Sequence, residues 1–129
     1  MVHGTFAASE SGEGTGWWQN GSTASDELMR RLPDQVQLPE NREVFHWSGE
    51  NSERARIKAG RQLLRYLQSL EAEGRGYHRI GHSHGGSVIW HALELATSQG
   101  KLLDHLRSWA TVGTPYLQHR TRGFLTAVN

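Results

Sequence analysis

The segment Tyr77-His78-Arg79-Ile80-Gly81-His82-Ser83-His84-Gly85-Gly86 constrains this chain more than any other. A strand-like run enters it, and a helical pattern leaves it with no residues left over for a loop. Tyr77 to Gly81 is expected to be a strand. Gly85 to Gln99 is expected to be a helix with Val88, Ala92, Leu95 and Ala96 on its inner face, ended by Gly100. To turn from one to the other at a single residue, Ser83 must adopt a strained backbone conformation. Its neighbours two positions away must then be small. Gly81 and Gly85 leave that room, and Gly86 lets the helix lie close to the strand. The turn lifts the Ser83 hydroxyl above the sheet, at the helix end that favours negative charge.

The rest of the chain extends the alternation. Val2 reads as the end of a strand, and Ala8 to Thr23 as a long Gly/Ser-rich loop holding Trp17 and Trp18. Ser25 is positioned to cap a short helix, Asp26 to Leu32, stopped by Pro33. Val44 to Trp47 is expected to be a strand. Ser52 should cap a helix from Glu53 to Glu73, with Ile57, Leu63, Leu64, Leu67 and Leu70 on one face. Gly60 would interrupt that helix and Gly74 would end it. Ser108 to Val112 is a further strand, closed by Gly113-Thr114-Pro115. Strands alternating with helices predict an α/β fold, a parallel sheet flanked by helices, in one domain over residues 1–129.

Composition excludes several classes. The formal net charge is +1 and the arginines are scattered, so nucleic acid is not an expected partner. There is no cysteine, which rules out disulfides and a thiol nucleophile and fits a cytoplasmic protein. No apolar run approaches the roughly 20 residues of a membrane span, and Met1-Val2-His3-Gly4 has neither the basic nor the apolar part of a signal peptide. His78, His82, His84 and His91 cluster in sequence. A turn would splay His82 and His84 apart, so no metal and no cofactor is expected. Gly12 to Gly16 lacks the ending of a phosphate loop.

Two stretches bear on chemistry. The first is Gly81-His82-Ser83-His84-Gly85, a G-x-S-x-G in the strand-to-helix context of a nucleophile elbow. The second is Val2-His3-Gly4-Thr5-Phe6, a His-Gly pair at a strand end upstream of it. Taken alone, the second would be an ordinary turn made flexible by Gly4. Together with Trp47-Ser48-Gly49-Glu50-Asn51-Ser52 and Thr111-Val112-Gly113-Thr114-Pro115, these motifs resemble α/β-hydrolase lipases and esterases. The likeness is nearest to the lipase-like serine esterases that include inositol-deacylase relatives, and it covers nearly the whole chain.

The resemblance implies a partial α/β-hydrolase domain spanning that fold's third to sixth strands. It implies a serine hydrolase that cleaves a carboxylic ester, a small-molecule or lipid substrate, through an acyl-serine intermediate. Ser83 would be the nucleophile. The backbone amides of Thr5 (or Phe6) and His84 would form the oxyanion hole. His3, Gly4, Gly81, His82, Gly85 and Gly86 complete the motifs. Trp17 and Trp18 would contact an acyl chain or cover the edge of the core.

The family's acid and histidine follow the serine, whereas after Pro115 this sequence has no Asp or Glu, and its one later histidine is His119. The triad acid and base are therefore expected to be absent from the chain. The rival expectation is a catalytically inert fragment or binding module on the same scaffold. Acyl transfer or thioester cleavage at the same elbow is a third. An incomplete sheet would leave exposed edges for self-association or a partner.

Overall fold

The computed structural model describes residues 1–40 and 43–116. It is a mixed α/β structure with three helices and a small parallel sheet: α1 (Thr23–Arg31), α2 (Glu53–Ala72), β1 (Tyr77–His82), α3 (His84–Ser98) and β2 (Leu106–Val112).

α1 and α2 each start where a hydroxyl can replace the missing backbone acceptors. At α1 that hydroxyl belongs to Ser22, not to Ser25: the Ser25 amide donates to Ser22 Oγ at 3.1 Å, and Ser25 Oγ donates back to the Ser22 carbonyl at 2.8 Å. Two serines three apart could each serve, and the one that follows the turn at Gly21 (φ 83°) takes the cap. Leu32 is extended (ψ 149°), as the residue before Pro33 must be, so the helix stops one residue earlier than expected. At α2 the Ser52 cap is as expected, its Oγ accepting from the Ala55 amide at 3.1 Å. Gly74, with φ 68°, closes the helix.

The buried stripe of α2 is Arg56, Ala59, Gly60, Leu63, Leu64, Leu67 and Leu70. Ile57 is not part of it. Arg56 holds the inward position at that level, and the next residue, about 100° around the helix, faces solvent. Gly60 does not interrupt the helix either. It is the point where α3 comes closest, since a Cβ there would lie 2.6 Å from His91 Cβ and 3.2 Å from the Ala92 amide nitrogen. Val88, Ile89, Ala92 and Ala96 of α3 belong to the same buried core cluster as the leucines of the α2 stripe. Leu95 is only half-buried.

β1 pairs in parallel with β2, with Gly81 opposite Thr111 and His82 opposite Val112. On its other side β1 takes Val2, whose amide donates to the Ile80 carbonyl (2.8 Å) and whose carbonyl accepts from His82 (3.2 Å). Tyr77, Arg79 and Gly81 are buried and alternate with exposed or half-buried residues, the period of a half-covered strand.

The expected strand at Val44 to Trp47 is absent. Val44, Phe45 and Trp47 are buried as such a strand would be, but their backbone forms no ladder. Val2 meets β1 through a single bridge, after which the chain turns at Thr5 and Phe6, so no extended edge is offered for another strand to join. Trp47 is held by its side chain instead, Nε1 donating to the His3 carbonyl at 2.9 Å. Among the described residues β2 pairs with β1 alone, and most of its side chains are exposed. No described helix is long and apolar enough to cross a membrane.

Candidate functional site

Ser83 sits between the last residue of β1 and the first of α3, with φ 52° and ψ −132°. That is the mirror image of extended backbone, which glycine enters freely and an L-residue does not. Three hydrogen bonds hold it there. Its amide donates to the Val112 carbonyl at 2.9 Å, while its own carbonyl accepts from the Gly86 amide at 3.0 Å and from Thr114 Oγ1 at 2.8 Å. The glycines around it are sites of close approach. A Cβ on Gly81 would lie 2.6 Å from the Gly86 nitrogen, and one on Gly85 2.6 Å from the His3 carbonyl oxygen. One on Gly86 would meet Thr111 Cγ2 at 2.8 Å.

The His3-Gly4-Thr5 loop lies directly against this turn. A Cβ on Gly4 would stand 2.9 Å from Ser83 Cβ and 3.4 Å from its Oγ, so only glycine lets the loop come so near the hydroxyl. The next residue but one, Phe6, is the other non-glycine residue described with positive φ (60°). Its amide is committed to the Gly49 carbonyl at 2.9 Å, which removes Phe6 as an oxyanion donor. The Thr5 amide has no partner among the described residues. The His84 amide, at the first position of α3, is one of the helix's unpaired donors. The two non-glycine residues with positive φ thus lie in the two segments that Gly4 brings against Ser83, and the Thr5 and His84 amides in those segments are unspent among the described residues. Strain of this sort costs about 1–3 kcal/mol per residue and is typical of functional sites.

The histidines around the site play different parts. His3 is fully buried, stacked on Trp47 (ring centroids 5.5 Å apart) and tilted against Trp18 (4.8 Å). Its Nδ1 lies 2.8 Å from the Gly4 carbonyl, which can only accept, so Nδ1 carries the proton. Burial holds its pKa below the usual value and keeps the ring neutral. Trp18 is itself buried, its Nε1 donating to the Ala7 carbonyl at 3.1 Å, so its role is to cover the core. His82 is exposed, with Trp17 edge-on at 5.4 Å. His84 turns away from the serine toward Ser87 Oγ (Nδ1 at 3.4 Å), and burial together with the nearby Arg56 charge depresses its pKa.

No family model, curated protein or solved structure matches the chain.

No described histidine or carboxylate bonds Ser83 Oγ, and His119 lies outside the described residues. No described group of His, Asp and Glu is arranged to hold a metal ion; His78 instead pairs with Ser108 Oγ at 2.8 Å. Two features escaped the sequence reading. Thr114 is the side-chain latch on the elbow's carbonyl, and nothing in the local pattern marks a bond spanning 31 positions. The second is a polar network in which Arg56 donates to Glu53 Oε2 (2.8 Å) and His91 Nε2 donates to Glu53 Oε1 (2.9 Å). Its Glu53/Arg56 half has a local signal, i and i+3 on a helix, which the sequence reading did not use; the partner from α3 has none.

Proposed function

We propose that this chain carries the strand–elbow–helix centre of an α/β-hydrolase fold and acts as a serine esterase of the lipase/esterase type, with Ser83 as nucleophile. The observation that carries the reading is the Ser83 backbone. A non-glycine residue is held at φ 52° between strand and helix, with Gly4 packed against its side chain. Such a conformation is expensive, and it is what raises a hydroxyl clear of the sheet.

In the proposed reaction Ser83 Oγ attacks the carbonyl carbon of a carboxylic ester and its proton passes to a base. The carbonyl oxygen becomes an oxyanion facing the Thr5 and His84 amides, and the N-terminus of α3 favours the charge. Collapse breaks the C–O bond to the alcohol, which leaves with a proton. Water then attacks the acyl-serine, the acyl group leaves as the carboxylic acid, and the Ser83 hydroxyl is restored. The neutral, buried His3 holds the loop through the Gly4 carbonyl and Trp47, a positioning part and not a basic one. The base that takes the Ser83 proton comes from outside the described residues.

The second reading, an inert scaffold or binding module, is favoured by the lack of any described histidine on Ser83 Oγ. One experiment separates the two. A fluorophosphonate probe is expected to label the full chain and not its Ser83→Ala variant. Equal labelling of both, or none of either, would leave the scaffold reading standing.

A further inference from the structure

A second cleft, of about 330 Å³, opens beside the elbow between α2, α3 and the segment after β2. His84, Ser87 and His91 line it from one face of α3, at i, i+3 and i+7. Facing them is the first turn of α2. There Glu53 Oε2 accepts from Arg56 Nε (3.1 Å) and from a terminal nitrogen (2.8 Å), Glu53 Oε1 accepts from His91, and Arg56 reaches Asn51 Oδ1 at 3.4 Å. Arg56 is only 6% exposed. Within the cleft lining the buried Arg56 charge is matched by Glu53, while the exposed Glu94, outside the lining, stands 3.7 Å from His91 Nδ1. The cleft therefore presents a fixed, electrically balanced set of hydrogen-bonding groups, with capacity left on Glu53, Ser87 and His84.

Next to the α3 polar groups, on the same helix and the segment after β2, the lining is aromatic and open. Trp90 is 47% exposed and Tyr116 55%, their rings 6.4 Å apart and nearly perpendicular, and Trp109 supports Trp90 from 6.5 Å. An indole held by its neighbours offers a flat apolar platform at little cost in side-chain freedom. An aliphatic tail would leave the polar wall unsatisfied, and an ion would find no net opposite charge. A ligand that fits both walls is uncharged, has one flat C–H face, and carries hydroxyls around its rim.

From this we infer that the cleft is a subsite for a pyranose, a glycosyl unit stacked on Trp90 and hydrogen-bonded by Ser87, His84 and Glu53. On the esterase reading, which this extends, the sugar belongs to the ester being cleaved. His84 directly follows Ser83, and Pro115 follows the Thr114 that bonds the Ser83 carbonyl, so the subsite borders the elbow, although Ser83 itself does not line it.

The test uses full-length Ser83→Ala protein, so that binding is measured without turnover and stands or falls independently of hydrolysis. Saturation-transfer NMR is run with the methyl pyranosides of glucose, galactose and mannose, and with cyclohexylmethanol as an apolar ring of similar size. At least one pyranoside is expected to bind, and more tightly than cyclohexylmethanol. Trp90→Ala should weaken it by about threefold to tenfold. Ser87→Ala, which leaves the aromatic wall and the packing of α3 untouched, should also weaken it. Failure of all three pyranosides, equal or tighter binding of cyclohexylmethanol, or affinity unchanged in both variants would overturn the inference.

Discussion

Replacing Ser83 by glycine should make the protein more stable while abolishing its proposed chemistry. The serine is held in the mirror region of backbone space, at φ 52° and ψ −132°. Strain at such a position costs about 1–3 kcal/mol, which glycine would not pay. Glycine gives back about 0.5–1 kcal/mol through its greater freedom in the unfolded chain. The hydroxyl makes no hydrogen bond among the described residues, so little else is lost. The net gain is about 1 kcal/mol, a rise in Tm of roughly 3–6 °C for a domain of this size. Ser83→Ala is the control: it removes the same hydroxyl but keeps the Cβ and hence the strain, and should stay close to the starting stability. Urea unfolding of the three proteins, compared by midpoint at constant slope, gives the answer. A glycine variant no more stable than the alanine variant would refute the claim that the elbow is strained.

Two further outcomes follow from the same geometry. Gly81→Ala should destabilise by about 3 kcal/mol, because its Cβ would meet backbone atoms of Gly85 and Gly86 at 2.6–2.8 Å and these cannot rotate away. Urea unfolding measures this, and a loss too small to resolve would show that strand and helix are not in contact there. Stability should also fall on mild acidification. His3 and His84 both have folded pKa values below 6.5, His3 through burial and His84 through burial and Arg56. Between those lowered values and about 6.5 the unfolded chain binds more protons at these histidines, so their contribution to stability rises with pH through that window, and the buried Met1 amino group, lowered to about 5, carries the rise further. Urea midpoints at pH 5.5 and 7.5 test the sign, and a higher midpoint at the acid value would contradict it.

The parts of the fold legible in the sequence were those whose causes are local. The Ser52 cap, the Leu63/Leu67/Leu70 stripe, the glycine stops at Gly74 and Gly100, and the strand–turn–helix at Ser83 all follow from residues within one or two helical turns. What escaped depends on distant partners. Val44 to Trp47 has the composition of a buried strand, yet strand formation needs a free edge alongside, and composition carries no record of one. Gly60 suggests a break until His91 is seen pressed against it. Arg56, charged and apparently solvent-bound, lies inside because Glu53, Asn51 and the face of α3 receive it. At the candidate site, the pairing of Gly4 with Ser83 could be anticipated from motif order. The Thr114 latch could not.

That latch makes the elbow geometry a property of the whole β1–α3–β2 unit and not of the strand–helix turn alone. Ser83 is pinned by the Val112 carbonyl and the Thr114 hydroxyl, both contributed by chain that arrives after α3 is complete. Before β2 docks, the Gly86 bond remains but two of the three bonds that hold residue 83 are missing. On the proposed esterase reading, labelling by a serine-directed probe would therefore report closure of the whole β1–α3–β2 unit.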